Sequence, residues 1–285
     1  MNNNYLIAKT IFALMREMPD IERHLSPQTI DFAHQYSTKK LYDFGQKERD
    51  PDEPNREEKM KAEAQLKKLI QAGLDKQRAE TVNQLQRIDY EDINYEKIFN
   101  WGELEGQIAL IITNGAGKEI EYFGSQIGFD IDWTGTNQKA SEWASKYTAK
   151  LLKDIDSTTR EVIASQVKMF IDTPGYTIGD VVDSLPFGER RSWTIAVTEI
   201  TRAFAQASLI AGREAQKSFP DLKFYKRWYT NADEKVCTIC GSFSTKFILL
   251  QDDFVTDGGA VSVEAPPAHP NCRCWMSTRS ELGII

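Results

Sequence analysis

The chain is poor in the residues that build common hydrolytic sites. Among its 285 residues there are four cysteines and three histidines. A Ser-His-Asp triad requires a histidine that reaches both of its partners. Only three histidines are available for that role in this chain. We expect surface roles for His24 and His34. The composition therefore argues against a triad enzyme.

The chain also lacks an excess of basic residues and any long apolar run. Its 35 basic residues are outnumbered by 42 acidic ones, which gives a net charge of −7. Proteins that coat nucleic acid need clustered lysine and arginine to neutralise phosphates. The longest apolar runs, such as residues 108–112, have five residues, against the roughly 18 of a membrane span. We expect a soluble protein of the reducing cytosol with no membrane partner and no secretory signal.

Apolar residues recur at intervals of three and four through most of the chain, which is the spacing of amphipathic helices. The first such stripe covers residues 6–18, and Ser26-Pro27 has the pattern of a helix start. Further helices are predicted over residues 66–85, 103–113, 117–127, 136–172 and about 188–217.

The last part of the chain changes character. Three short segments rich in aromatic or β-branched residues, 223–230, 246–250 and 260–263, are separated by Asp and Gly turns. This pattern predicts a small antiparallel sheet. The apolar stripe of the preceding helix needs a partner, and we expect it to pack across this sheet with Phe204 near Trp228 and with Phe247 in the same contact.

The predicted fold class is therefore mainly α with a small C-terminal α+β module. A helical N-terminal region, residues 1–135, is followed by residues 136–285, in which a helix packs on a short antiparallel sheet. The end of this second part, about residues 223–279, is the segment that contains all four cysteines. Three or four short strands bury too little apolar surface for independent stability. We therefore expect a structural metal ion to hold this segment together.

The cysteines and one histidine have the spacing of a zinc site. Cys237 and Cys240 lie in the motif Cys-Thr-Ile-Cys, and His269 and Cys272 lie in His-Pro-Asn-Cys. Each pair is separated by two residues, which lets both side chains reach one ion, and Cys3His is a closed tetrahedral set for structural Zn²⁺. We predict these four residues as ligands, with Cys274 as an alternative ligand in place of His269.

Other interpretations of these residues stay open. The cysteines would staple the same two loops as disulfides, although paired cysteines in a reducing cytosol more often bind metal. A catalytic zinc usually has histidine or carboxylate ligands and an open position. A nucleic-acid-binding zinc module would use a basic face, for which the candidates are Lys223, Lys226, Arg227 and Lys235.

Several segments together resemble the Mu protein F-like family of phage head morphogenesis (minor head) proteins. The resemblance runs from about residue 156 to residue 279. It includes the helix AVTEITRAFAQASLIAG, the strand and turn YKRWYTNADEKVCTIC, and the motif APPAHPNCRC. Val197 stands where the family usually has an arginine before Thr-Glu, so any role of that arginine is missing here.

The resemblance implies a structural role rather than an enzymatic one. It implies a minor capsid protein of a tailed phage or prophage, associated with the portal vertex and needed for head assembly, DNA packaging or ejection. Its partners would be the portal protein, the major capsid protein or both, with packaged DNA as a further partner. The protein would be in the virion, and in the host cytoplasm during assembly. The alternatives are a zinc-dependent nucleic-acid-binding module and a toxin-like transferase.

Overall fold

The computed structural model describes residues 49–86, 93–127, 132–231 and 236–283. The predicted helix over residues 6–18 and the helix start at Ser26 lie outside them. The described part is mainly helical with a small antiparallel sheet towards its C-terminal end, as predicted. Within it, six helices precede the first strand: α1 (Arg56–Leu85), α2 (Tyr95–Ile98), α3 (Glu103–Ile127), α4 (Trp133–Asp172), α5 (Ile178–Ser184) and α6 (Glu189–Ser218).

Helix α1 presents a narrow apolar stripe to the rest of the bundle. Leu66, Ile70 and Leu74 are fully buried, because residues four apart lie on one face of a helix. Together with apolar residues of α3, α4 and α6 they form one core. Helices on both sides of residue 135 contribute to this core; the division into residues 1–135 and 136–285 stays a prediction.

The prediction of two short helices over residues 103–113 and 117–127 is wrong, since α3 runs without a break through both. Glycines in this segment weaken a helix by about 1 kcal/mol each, and tertiary packing overrides that preference. A Cβ atom added at Gly115 would lie 2.9 Å from the ring of Phe204. Glycine therefore lets α3 and α6 approach each other closely.

Helices α4 and α5 begin at side-chain caps. The carboxylate of Asp132 accepts a hydrogen bond from the backbone N–H of Gly135 at 2.9 Å, so α4 starts slightly earlier than residue 136. At the start of α5, Thr177 and Asp180 form a capping box, in which each side chain accepts from the other residue's backbone N–H. Such caps satisfy N–H groups that have no partner inside the helix.

Helix α6 connects the helical bundle to the sheet. Its Phe204 lies in the bundle core, whereas Ala207 and Ala211 lie in a second core with residues of the sheet. A Cβ atom added at Gly212 would lie 2.7 Å from Cγ2 of Thr278. The expected packing of this helix across the sheet is confirmed, and small residues make the close approach possible.

The sheet has three antiparallel strands in the order β2 (Phe247–Leu249), β1 (Phe224–Tyr229) and β5 (Trp275–Ser280), and β3 (Phe254–Val255) and β4 (Ser262–Val263) pair separately. The sequence pattern does not predict strand β5, because its residues Trp-Met-Ser-Thr-Arg-Ser contain no run of β-branched side chains. Its pairing with β1 joins residues far apart in sequence, such as Tyr229 and Trp275. The elements after α6 are β1 (Phe224–Tyr229), α7 (Thr238–Phe243), β2 (Phe247–Leu249), β3 (Phe254–Val255), β4 (Ser262–Val263), β5 (Trp275–Ser280) and a 3₁₀ turn (Glu281–Gly283).

The expected contact between Trp228 and Phe204 is wrong. Trp228 is fully buried, but its partners are the rings of Phe243 and Phe254, with centroids 4.9 and 5.2 Å away. Phe247 is also misplaced by the prediction, since it is 42% exposed on the opposite face of the sheet. The C-terminal module thus has an aromatic core of its own, separate from the contact with α6.

Candidate metal centre

The first half of the candidate centre is the start of helix α7. Cys237 is the N-cap residue of this helix, and its Sγ accepts the backbone N–H of Cys240 at 3.3 Å. This geometry places both sulfur atoms on one side of a single turn. Cys240 is buried, whereas Cys237 is partly exposed.

The second half is the loop that leads into β5. It contains His269, Pro270, Asn271 and Cys272, and Asn271 has a φ of 61°. Asparagine tolerates this left-handed conformation better than most residues. The resulting turn brings the side chains of His269 and Cys272 towards α7.

The two halves meet at Cys240, whose Sγ lies close to donor atoms of both His269 and Cys272. Nε2 of His269 lies 3.2 Å from the Sγ atoms of both Cys237 and Cys240. The Sγ atoms of Cys240 and Cys272 are 3.7 Å apart. Zn–S bonds of about 2.3 Å in tetrahedral geometry place two sulfurs roughly 3.8 Å apart. The separation of Cys240 and Cys272 therefore fits Zn²⁺, whereas the four predicted ligand atoms do not all lie within 4.8 Å of one another.

The tautomer of His269 also suits metal binding. Its Nδ1 lies 2.8 Å from the carbonyl oxygen of Pro270, and a proton on Nδ1 satisfies that acceptor. When His269 is neutral, Nε2 is then left with a lone pair that points at the sulfur atoms. Metal-binding histidines commonly use one ring nitrogen in this way while the other donates to a fixed acceptor.

Cys274 lies on the far side of the cluster from His269. Among the described residues, two groups of three donors have their ligand atoms within 4.8 Å of one another: Cys237, Cys240 and His269, and Cys240, Cys272 and Cys274. Cys240 belongs to both groups. All four cysteines are free thiols in this structure, so no disulfide staples the two loops.

The pKa values of these donors are shifted in opposite directions. The hydrogen bond between Cys237 and Cys240 lowers the pKa of Cys237 to about 4. A hydrogen bond with Cys240 also lowers the pKa of Cys272. The hydrogen bond with Cys237 raises the pKa of His269 to about 11. Thiolates are thus surrounded by protonated neighbours. A metal ion is able to replace those protons, because thiolate and neutral imidazole are the forms that bind metal.

The loop of the second half is attached to helix α6 by two threonines. The backbone N–H of Asn271 donates to Oγ1 of Thr198 at 2.7 Å. Oγ1 of Thr201 lies 3.1 Å from the carbonyl oxygen of Cys272. The sequence gives one indication of these contacts, the Thr198-Glu199 pair in helix α6. It gives no indication that Thr201 takes part.

Thr201 in turn touches a buried ionic network. The guanidinium of Arg49 is only 2% exposed. It donates to Thr201 at 2.8 Å, to Glu53 at 2.8 Å and to Glu63 at 2.9 Å. Lys59 lies 3.0 Å from the same carboxylate of Glu53. The network joins the segment before α1 to α6, and sequence spacing alone gives no indication of it.

Glu119 of α3 adds a third carboxylate beside this network. It is buried and accepts a hydrogen bond from the side chain of Asn55 at 3.0 Å. Burial raises its pKa, and the charge of Lys59 opposes that effect. Arg49 and Lys59 supply two positive charges against three carboxylates, so full ionisation leaves one excess negative charge inside the protein.

Among the described residues considered as a basic face, Lys226 lies on the opposite side of β1 from Lys223 and Arg227. Lys226 is fully buried, and its Nζ donates to the carbonyl oxygen of Glu264 at 2.8 Å. Lys223 is exposed and Arg227 half-buried on the other side of β1. Lys235 lies outside the described residues. No helix in the described part of the chain is long and apolar enough to span a membrane.

Comparison with known proteins gives a match to a protein family. Residues 145–277 match the family model described as Phage Mu protein F like protein. The matched stretch begins within α4, contains α6 and ends in β5, so it includes both halves of the candidate metal centre. No curated protein and no solved structure matches the chain.

Proposed function

We propose that this chain, whose residues 145–277 belong to the phage Mu protein F-like family, is a minor capsid protein of a tailed phage or prophage. The family match carries the proposal, because the family is one of phage head morphogenesis proteins. The finer role is association with the portal vertex in head assembly, DNA packaging or ejection. Its partners are then the portal protein, the major capsid protein or both, with packaged DNA as a further contact.

The candidate metal centre is proposed as a structural zinc site. The ligands are Cys237, Cys240, His269 and Cys272. His269 is preferred over Cys274 because its Nε2 lies 3.2 Å from both Cys237 and Cys240 and its Nδ1 faces the carbonyl oxygen of Pro270. Cys274 also groups with two cysteines, Cys240 and Cys272, and is the alternative ligand. Four protein ligands close the tetrahedron. A closed set supports a structural role, with the metal joining α7 to the loop before β5.

The burial of the site's surroundings supports the same role. Cys240 and Cys272 share a small core with Trp228, Phe243 and Phe254. Such a core is too small to hold short strands and loops together alone. Zinc binding and folding of this module are therefore expected to be coupled.

Deletion of the gene from the phage or prophage that encodes it tests the head role. We expect the chain in purified virions, and we expect particles made without it to have defects in assembly, DNA content or infectivity. Expression of the intact chain in trans should restore them, whereas a Cys237→Ser, Cys240→Ser chain should not. Normal particles without the chain would contradict the proposal. Salt-sensitive binding to duplex DNA by a chain absent from virions would favour a nucleic-acid-binding module instead.

A further inference from the structure

The loop that contributes His269 and Cys272 has no regular structure around its ligands. It lies between strand β4, which has only two residues, and strand β5. A loop of this kind loses conformational entropy when it is fixed around an ion. The metal affinity therefore depends on what holds the loop in place before the ion binds.

Thr198 holds the loop from one side through a hydroxyl with a fixed direction. Its Oγ1 donates to the carbonyl oxygen of Thr194, one turn earlier in α6, at 2.6 Å. The oxygen then has lone pairs available, and one accepts the backbone N–H of Asn271 at 2.7 Å. Asn271 stands directly before the ligand Cys272, in the left-handed conformation that makes the turn.

Thr201 holds the ligand residue itself. A guanidinium has donors and no acceptor, so Thr201 must accept the 2.8 Å hydrogen bond from Arg49. Its own proton is then free to donate to the carbonyl oxygen of Cys272, 3.1 Å away. Arg49 is itself fixed by the carboxylates of Glu53 and Glu63. The direction of the Thr201 hydroxyl is thus set by a buried network.

The two threonines act from one rigid surface. Residues three apart lie on the same face of a helix, and the residues that directly precede each threonine, Val197 and Ile200, are buried. Helix α6 is itself packed between the helical core and the sheet. The loop therefore docks on a helix whose packing in these two cores includes none of the metal ligands.

We propose that Thr198 and Thr201 are positioning residues of the metal centre, which hold the loop at Asn271 and Cys272 in the binding conformation. This inference rests on the proposed zinc site. Neither threonine is a ligand. They act through the backbone on either side of the peptide that joins Asn271 to Cys272, and Arg49 acts through Thr201.

The experiment measures the affinity of the full-length reduced protein for Zn²⁺, and for Co²⁺ as a spectroscopic probe, by competition with a chromophoric chelator. Thr201→Val removes the hydroxyl and keeps the shape of the side chain. Loss of an outer-shell partner lowers metal affinity by about 10- to 100-fold, and we expect that loss here. Thr201→Ser keeps the hydroxyl and should restore the affinity to near that of the wild type.

Thr81→Val is the matched control. Its hydroxyl is also buried and donates to the carbonyl oxygen of Gln77 within α1. This control should keep wild-type affinity. Thr198→Val provides a second, independent variant with the same expected direction. The cobalt–thiolate absorption at saturation should stay unchanged in every variant, because the ligands are unchanged.

Each outcome has a separate meaning. If the wild type binds neither Zn²⁺ nor Co²⁺, the proposed metal site itself fails. If the wild type binds metal and Thr201→Val and Thr198→Val bind it equally well, the positioning role is wrong. The role is also wrong if Thr81→Val loses as much affinity as they do. It is wrong as well if both variants lose their helical circular dichroism in excess zinc, since the threonines would then support the whole fold.

Discussion

Replacement of Trp228 by alanine should weaken the C-terminal module although Trp228 is not a ligand. The side chain is fully buried and packs against Phe243 and Phe254. Truncation of a buried tryptophan costs about 3 to 5 kcal/mol through lost burial and the cavity left behind. That amount is a large part of the roughly 5 to 15 kcal/mol by which a domain is stable.

Urea denaturation of the zinc-loaded protein, with proteolysis of residues 223–279 as a local readout, measures this effect. Phe247→Ala is the control, because Phe247 is an aromatic residue of the same sheet that is 42% exposed. We expect it to lower the free energy of unfolding by less than about 1 kcal/mol. Equal effects of Trp228→Ala and Phe247→Ala, or a Trp228→Ala effect below 1 kcal/mol, would refute the assignment of Trp228 to a separate module core.

Three further substitutions test other parts of the structure. Gly115→Ala should destabilise the protein by about 1 to 3 kcal/mol, because the new Cβ meets Phe204 at 2.9 Å; Gly117→Ala, with open space around it, should be neutral or slightly stabilising in the same thermal melts. Glu119→Gln removes a carboxyl whose pKa is raised by burial from 4.5. The wild type loses stability as pH rises from 4.5 to the higher pKa of Glu119 in the folded protein. The difference in stability between the variant and the wild type should therefore grow with pH over this range and then level off. A difference that stays constant with pH would contradict this. Cys274→Ser should keep one zinc per chain by elemental analysis, and loss of the metal would make Cys274 a ligand.

The sequence allowed most of the helices and the clustering of the cysteines with His269 to be predicted, because both depend on local spacing, and the metal ligands themselves stay a prediction. Helix α6 and the pairs around Cys237 and His269 follow from intervals of two to four residues. Strand β5 could not be predicted in the same way. Its partner β1 lies almost fifty residues earlier, as the pairing of Tyr229 with Trp275 shows, and its own residues have little strand preference.

Contacts between distant elements were the other part that local patterns did not provide. The bond from Arg49 to Thr201 joins residues 152 positions apart, and nothing in the spacing of either residue indicates it. The misplaced contact of Trp228 has the same origin, since the sequence alone favours the nearest apolar stripe as its partner. Trp228 packs instead against Phe243 of α7 and Phe254 of β3.

The central claim is that one zinc ion joins α7 to the loop before β5, and metal content tests it most directly. The full-length protein should be prepared under reducing conditions, dialysed against a weak chelator and analysed for zinc, beside a variant with Cys237→Ser and Cys240→Ser. The account predicts about one zinc per chain in the wild type, almost none in the variant, and rapid proteolysis of residues 223–279 only in the variant. A metal-free wild type in which residues 223–279 resist proteolysis would contradict it.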